Sequence, residues 1–171
     1  LFAVLFGGAV AFIPEVASTI LQTGPIGYGF LNAAMDIGSL ISIAVLVKYP
    51  MRQKQGLKML LAVAGFGICI IIFGLSKVYW LSFMALLIAG LFDAVSVVVR
   101  GTIMQLNTPD ELRGRVASIN LIFINSSNEL GQFESGVTSR MFGTLPAIIF
   151  GGAMSMLVVA ATWLKFPKLR K

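Results

Sequence analysis

Residues 108–136 read TPDELRGRVASINLIFINSSNELGQFESG, and the assignment of this stretch decides the fold. It begins as a charged turn, with Pro109, Asp110, Glu111, Arg113 and Arg115 close together. The remainder is hydrophobic enough to enter a bilayer, yet it carries Asn120, Asn125, Asn128, Glu129, Gln132 and Glu134. A soluble protein has no need of such a hybrid. A simple membrane anchor avoids it, because ionisable groups in hydrocarbon are costly. A helix lining a polar path through a membrane has this composition.

The rest of the chain points the same way. Of its 171 residues 57% are hydrophobic and only 12% charged, where a soluble domain carries about 25% charged residues. That deficit, with a mean hydropathy of +0.92, places the chain among polytopic membrane proteins. A helix needs about 20 apolar residues to cross the hydrocarbon core. Six such runs are present, at about residues 1–21, 27–47, 59–75, 79–99, 116–138 and 145–164. The breaks between them are short: a Thr23-Gly24-Pro25 turn signal, a basic loop over residues 48–55, Ser76-Lys77, the polar link 100–115, and Met141-Phe142-Gly143. The expected fold is an all-α polytopic membrane protein, a single six-helix domain over residues 1–171 with no soluble module. Leu1 already lies inside a hydrophobic run, with no basic segment or cleavage site before it, so it does not read as a signal peptide. The chain is expected to be a fragment of a longer protein.

Charge placement gives the expected orientation. If loops alternate sides, eleven of the thirteen Lys and Arg residues fall on one side: Lys48, Arg52, Lys54 and Lys58, then Arg100, Arg113 and Arg115, then the four in the C-terminal tail. Lys77 and Arg140 alone fall on the other. Positive charge marks the cytoplasmic side, so both ends are expected in the cytoplasm, in the plasma membrane (the inner membrane of a bacterium). The net charge of +6 is explained by insertion, and nucleic acid is not expected as a partner. There is no His, which excludes a His-based proton relay and the commoner zinc sites. The lone Cys69 cannot form an intrachain disulfide and reads as a small hydrophobe in an apolar run. No His-Glu-x-x-His, Gly-x-Ser-x-Gly or Walker-type loop occurs. Neither an enzyme nor an ATP-driven pump is expected, and no cofactor.

Five of the seven acids, Glu15, Asp36, Asp93, Glu129 and Glu134, fall within the expected spans. A charge at the bilayer centre costs about 2.5–3.5 kcal/mol on insertion scales, so five require an explanation. Glu15 follows Pro14, and a proline bends a helix; it either turns a carboxylate inward or is hydrated near the outer interface. Asp36 lies near mid-span with Asn32 and Ser39 on its face, and is a candidate either for proton exchange or for a structural hydrogen bond. Asp93, Ser96 and Arg100 share a face toward the cytoplasmic end of the fourth run, as a structural or gating ion-pair site. Asp93 and Arg100 are separated by about 10 Å along the axis, so a partner on another helix is an equal alternative. On the fifth run, 100° per residue groups Ser118, Asn125, Glu129, Gln132 and Gly136 on one line. Asn120, Ser127, Glu134 and Thr138 fall nearly opposite, with Ile119, Phe123, Leu130 and Val137 between as a lipid face. One polar face is expected to line a cavity and the other to contact helices, and periodicity leaves the choice open. Glu129 is the preferred cavity residue, Glu134 the second. The third and sixth runs are nearly free of polar groups and read as scaffold facing lipid, with Gly and Ala suited to close packing.

These residues resemble a known family. Six spans, a basic loop after the second, and the strings DAVSVVVR at 93–100, QLNTP at 105–109, RGRV at 113–116 and SNELGQFESG at 127–136 are similar to the C-terminal half of a major facilitator superfamily transporter. They look most like its branch of enterobactin exporters and drug-efflux proteins. The resemblance implies that the spans correspond to helices seven to twelve of a twelve-helix carrier. Such carriers work by alternating access, two six-helix halves rocking around a midplane cavity, and many are driven by proton or ion gradients. The basic loop at 48–56 lacks the Asp of the family's motif, so that motif's gating role is not assigned to it. The Arg-Gly-Arg link does match. It implies that Arg113 and Arg115 join cytoplasmic-side ion pairs, although topogenic anchoring explains the same charges.

The expectation is therefore a half or fragment of a secondary active transporter that exports a small organic molecule. Its partners would be that substrate, the lipid bilayer, and a missing N-terminal six-helix half or a second copy. The pathway residues would be Glu129, Asn125, Gln132, Glu134, Asp36, Asn32 and Glu15, with Asp93, Arg100, Arg113 and Arg115 in gating ion pairs. The alternative is a non-transporting interaction or assembly protein whose intramembrane acids serve helix packing.

Overall fold

Proline, glycine and serine punctuate a chain that is otherwise helical wherever it is described. The computed structural model describes residues 10–49 and 55–165. The start of the first run, most of the basic loop (50–54) and the tail from 166 lie outside them, with Arg52, Lys54, Lys168, Arg170 and Lys171. Among the described residues there is no strand.

Helix α1 is a short segment, Ile13–Glu15, that continues as a wider π-helical turn over Val16–Ile20. Pro14 lacks a backbone N–H, and just beyond it the ladder shifts by one residue, so that Leu21 N–H donates to the Val16 carbonyl. Thr23 closes the segment through its N–H and hydroxyl, both on the Ala17 carbonyl. Helix α2, Pro25–Lys48, starts with proline at its first position after an extended Gly24, the geometry that proline's fixed φ favours. Helix α3, Gln55–Leu75, ends at a turn held by the buried Ser76 hydroxyl, which donates to the Val78 carbonyl and accepts from the Val78 N–H.

Helix α4, Tyr79–Leu106, has 28 residues and α5, Arg113–Phe142, has 30. At 1.5 Å per residue they are about 42 and 45 Å long, against a hydrocarbon core of about 30 Å. Both outrun the spans expected from hydropathy, because a helix does not stop where apolar residues stop. A single 3₁₀ turn, Asp110–Leu112, joins them. Gly143 separates α5 from α6, Thr144–Lys165, at a φ of 88° that strains a residue with a Cβ. Helices α2, α3, α4 and α6 are long and apolar enough to cross a membrane. Helix α5 is long enough but too polar to qualify by composition. Trp80, 69% exposed, stacks edge-on with Tyr79 and Phe83 at the start of α4, as aromatics do at a membrane interface.

The helices pack in a circuit rather than in chain order: α1 on α2, α2 on α4, α4 on α3, α3 on α6, and α6 on α5. Helix α3, free of polar residues along most of its length, lies between α4 and α6 and presents Phe66, Ile70 and Phe73 to the core. Helices α2 and α4 meet backbone to backbone. A Cβ on Gly38 would lie 2.0 Å from the Leu87 carbonyl oxygen, and one on Gly90 would lie 2.0 Å from that of Met35. Ser39 adds a hydrogen bond from its hydroxyl to the Gly90 carbonyl at 3.1 Å. In lipid, where apolar burial gives no drive for helix association, close approach of this kind carries the packing. Tyr79 donates to the Gly27 carbonyl at 3.0 Å, tying the start of α4 to the start of α2. The core draws on α1, α2, α3, α4 and α6. Helix α5 supplies nothing to it and buries only Gly131 and Ser135.

Two predictions follow from this packing. Gly38→Ala or Gly90→Ala should lower stability by about 1–3 kcal/mol, the usual range for overpacking, seen as an earlier thermal loss of monodisperse protein. Gly29→Ala, on the same helix with nothing within 4 Å, should be near neutral; equal melting of all three variants would show that the crossing is not tight. Ser82 is fully buried and its hydroxyl has no hydrogen-bond partner. Because an unpaired buried polar group is itself destabilising, Ser82→Ala should leave the melting temperature unchanged or raise it.

Candidate functional site

The polar residues of α5 separate by exposure. Ser118, Asn125, Glu129, Gln132 and Gly136 are all exposed. Across the helix, Asn120, Ser127 and Thr138 are partly buried beside Gly131 and Ser135, on the side that packs. Glu134 belongs by angle to the packed side but stays exposed, and only its backbone carbonyl is engaged, by the Thr138 hydroxyl at 2.8 Å. The apolar stripe of Ile119, Phe123 and Leu130 is exposed as well. Helix α5 thus touches the bundle along one narrow line and shows two different surfaces elsewhere, one polar and one apolar.

Asp36 is exposed near the middle of α2, with Asn32 partly buried beside it. Ser39, which shares their face, is turned to α4. Glu129 lies near the middle of α5 and Asp93 at the middle of α4. The position of Asp93 differs from the sequence expectation, which placed it toward one end; α4 runs on through Arg100 to Leu106 and so re-centres it. Asp93 is half-buried next to buried Ala94 and Ser96. No ion pair joins it to Arg100, since among the described residues the one salt bridge is Arg113–Asp110. Helices α2 and α5 are not neighbours in the packing circuit, so Asp36 and Glu129 stand on helices that do not pack on each other.

Glu15 is different in kind. Its carboxylate accepts hydrogen bonds from Ser139 (3.0 and 3.2 Å to its two oxygens) and from Thr144. It thereby joins α1 to both sides of the α5–α6 turn. Its backbone carbonyl accepts from Ser18 and Thr19. Nothing in the sequence marks Ser139 and Thr144 as partners, because ordinary hydroxyl residues more than 120 positions away leave no pattern.

At the other end of α5, Arg113 pairs with Asp110 at 2.8 Å and its Nε donates to the Thr108 carbonyl at 3.4 Å. Both contacts lie within the link. Arg115 is exposed. A cleft of about 380 Å³ opens here between α4 and α5, lined by Met104, Gln105, Thr108, Arg113, Val116 and Ala117 among others.

The described residues form an all-helical polytopic domain with carboxylates at mid-helix and one long, polar, lightly packed helix, a composition that a simple membrane anchor avoids. The chain matches, over residues 1–171, the major facilitator family described as transmembrane secretion effector, and it belongs to that family. It is 34% identical over 88 residues to the enterobactin exporter EntS of Escherichia coli O1:K1 / APEC, a match covering 52% of this chain and 21% of that protein. It is likewise 34% identical over 88 residues to the enterobactin exporter EntS of Shigella flexneri, 22% of which is covered. The matched stretch thus spans about a fifth of the length of these curated relatives. No solved structure gives a significant match. The protein is integral to a membrane, and its family is one of transporters rather than catalysts.

Asp110 and Arg113 are both largely exposed, at 84% and 52%, and exposed pairs contribute little. Asp110→Asn should therefore change stability by less than about 1 kcal/mol in a thermal melt of the intact protein. A larger loss would mean that the link is a structural clamp.

Proposed function

We propose that the chain is one six-helix half of a secondary active transporter that exports a small organic molecule by alternating access, driven by a proton or ion gradient. Its spans would be helices seven to twelve of the full carrier, completed by an N-terminal half or, failing that, by a second copy. Both ends would lie in the cytoplasm, in the plasma membrane of a bacterium. The observation that carries this reading is the exposed face of α5 with Asn125, Glu129 and Gln132. A carboxylate cannot face acyl chains cheaply, so this face must look onto water or onto another protein surface. A cavity shared with a complementary half supplies both. The apolar stripe of Ile119, Phe123 and Leu130 then meets lipid.

In this reading Asp36 and Asn32 look onto the same cavity from α2, Glu134 stands at its edge, and Asp93 is poised near its floor. Arg100, Arg113 and Arg115 lie toward the cytoplasmic end, where their charges set orientation and hold ion pairs that weight one conformation. The relatives' name, enterobactin exporter, supports export of an organic molecule. A packing-only role for the acids accounts for Glu15, which spends its carboxylate on hydrogen bonds between helices. It does not account for Asp36 and Glu129, which are exposed.

Glu129→Gln in the intact carrier should abolish gradient-driven efflux, or uncouple it from pH, while expression and melting stay unchanged. Efflux from proteoliposomes, with enterobactin as the first probe, measures this. Efflux with the pH dependence of the unmutated carrier would remove Glu129 from the pathway.

A further inference from the structure

Among the described residues, Glu15 joins the two ends of the packing circuit of the helices. Helix α5 packs on α6, and at its Gly143 end it is tied by the hydrogen bonds that Ser139 and Thr144 give to Glu15. Among the described residues the carboxylate is met by hydroxyl groups and forms no salt bridge with a cation. Arg140, beside Ser139 in sequence, is exposed and forms no salt bridge with it, and Lys77 in the α3–α4 turn is exposed. Helix α6 has no charged residue from Thr144 to Trp163. Helix α2, which packs on α1, brings Tyr28 to this end of the core, while its one acid, Asp36, is exposed half a helix away. Glu134 lies farther down α5 and is exposed.

A carboxylate that accepts from several hydroxyls makes charge-assisted hydrogen bonds, and these weaken when the charge is removed. Next to it α1 is already interrupted, by Pro14 on one side and the π-helical turn Val16–Ile20 on the other. Such insertions are common points of bending. We propose that Glu15, Ser139 and Thr144 form a proton-operated latch between α1 and the α5–α6 turn. With the carboxylate charged, the hydroxyls hold the two together. When a proton binds, the donors lose their acceptor charge, α1 bends at the π-helical turn, and the end of α5 moves away from α1. The proton adds to one Glu15 carboxylate oxygen and leaves from it, with no other bond made or broken. This rests on the carrier reading for its purpose, namely to let a proton change how α5 sits, but not for its chemistry.

The test uses spin labels on the intact protein in lipid nanodiscs, at Ile26→Cys in the first turn of α2 and Met141→Cys at the end of α5, both well exposed. Interlabel distances are measured by pulsed electron resonance in mildly alkaline and in acidic buffer. The unmutated latch should give mainly the short distance in alkali, and a longer-distance population several-fold larger in acid. Glu15→Gln keeps the shape and an acceptor oxygen without the charge, so the long population should dominate at both pH values. Ser139→Ala with Thr144→Val, which leaves the carboxylate in place, should do the same and carries the test if Glu15→Gln does not fold. A distribution that ignores pH in the unmutated latch, or variants that follow pH as it does, would overturn the proposal. Efflux measured separately keeps the two ideas apart: a pH-driven distance change without transport sinks the carrier reading and leaves the latch standing.

Discussion

Helices α2 and α4 touch through their backbones, and most of the domain is arranged by that contact. Gly38 and Gly90 each sit against a carbonyl of the other helix, and no side chain of any size fits between them. Because α4 also carries α3, and α3 carries α6, the crossing sets where four helices stand. The α3–α6 contact also uses small residues, Gly67, Gly152 and Ser155, at a looser approach. A membrane domain needs such contacts, since lipid tails are as apolar as the side chains and give no drive for helices to associate.

Helix α5 stands apart from that scheme. It adds nothing to the apolar core, and its buried positions, Gly131 and Ser135, are small. A helix held this lightly can shift without breaking a packed interior, because little packed interior belongs to it. The exposed carboxylate of Glu129 and the tethered carboxylate of Glu15 then have different surroundings. One has its charge available to whatever fills the space beside α5, and the other holds the helix that carries it. Proteins that couple movement to binding draw their moving parts from elements with few buried contacts, and α5 meets that description.

The roles of the acids show how far pattern reasoning reaches. Five acids within apolar runs are conspicuous in the bare sequence because each costs free energy in lipid. Their partners are not conspicuous. Glu15 finds hydroxyls 124 and 129 positions along the chain, and no local period links them. Asp93 and Arg100 share a helical face, yet no salt bridge joins them, as the length of helix between them suggests. The mid-helix position of Asp93 was also beyond reach, since hydropathy reports where apolar residues end, and α4 continues past that point to Leu106.

Composition and periodicity were enough to establish an all-helical membrane protein and the turns at Gly24-Pro25, Ser76-Lys77 and Gly143, and they set out two polar faces on α5. These are local properties: each follows from hydropathy, helical period and the chemistry of proline and glycine within a few residues. Which face of α5 packs and which stands free depends on where α6 lies. The pairing of α2 with α4 depends on two glycines 52 residues apart, and the closure of the circuit depends on Glu15 reaching the α5–α6 turn. Such contacts join distant positions through space. They exist only once the helices are assembled, because nothing short of that brings Glu15 beside Ser139.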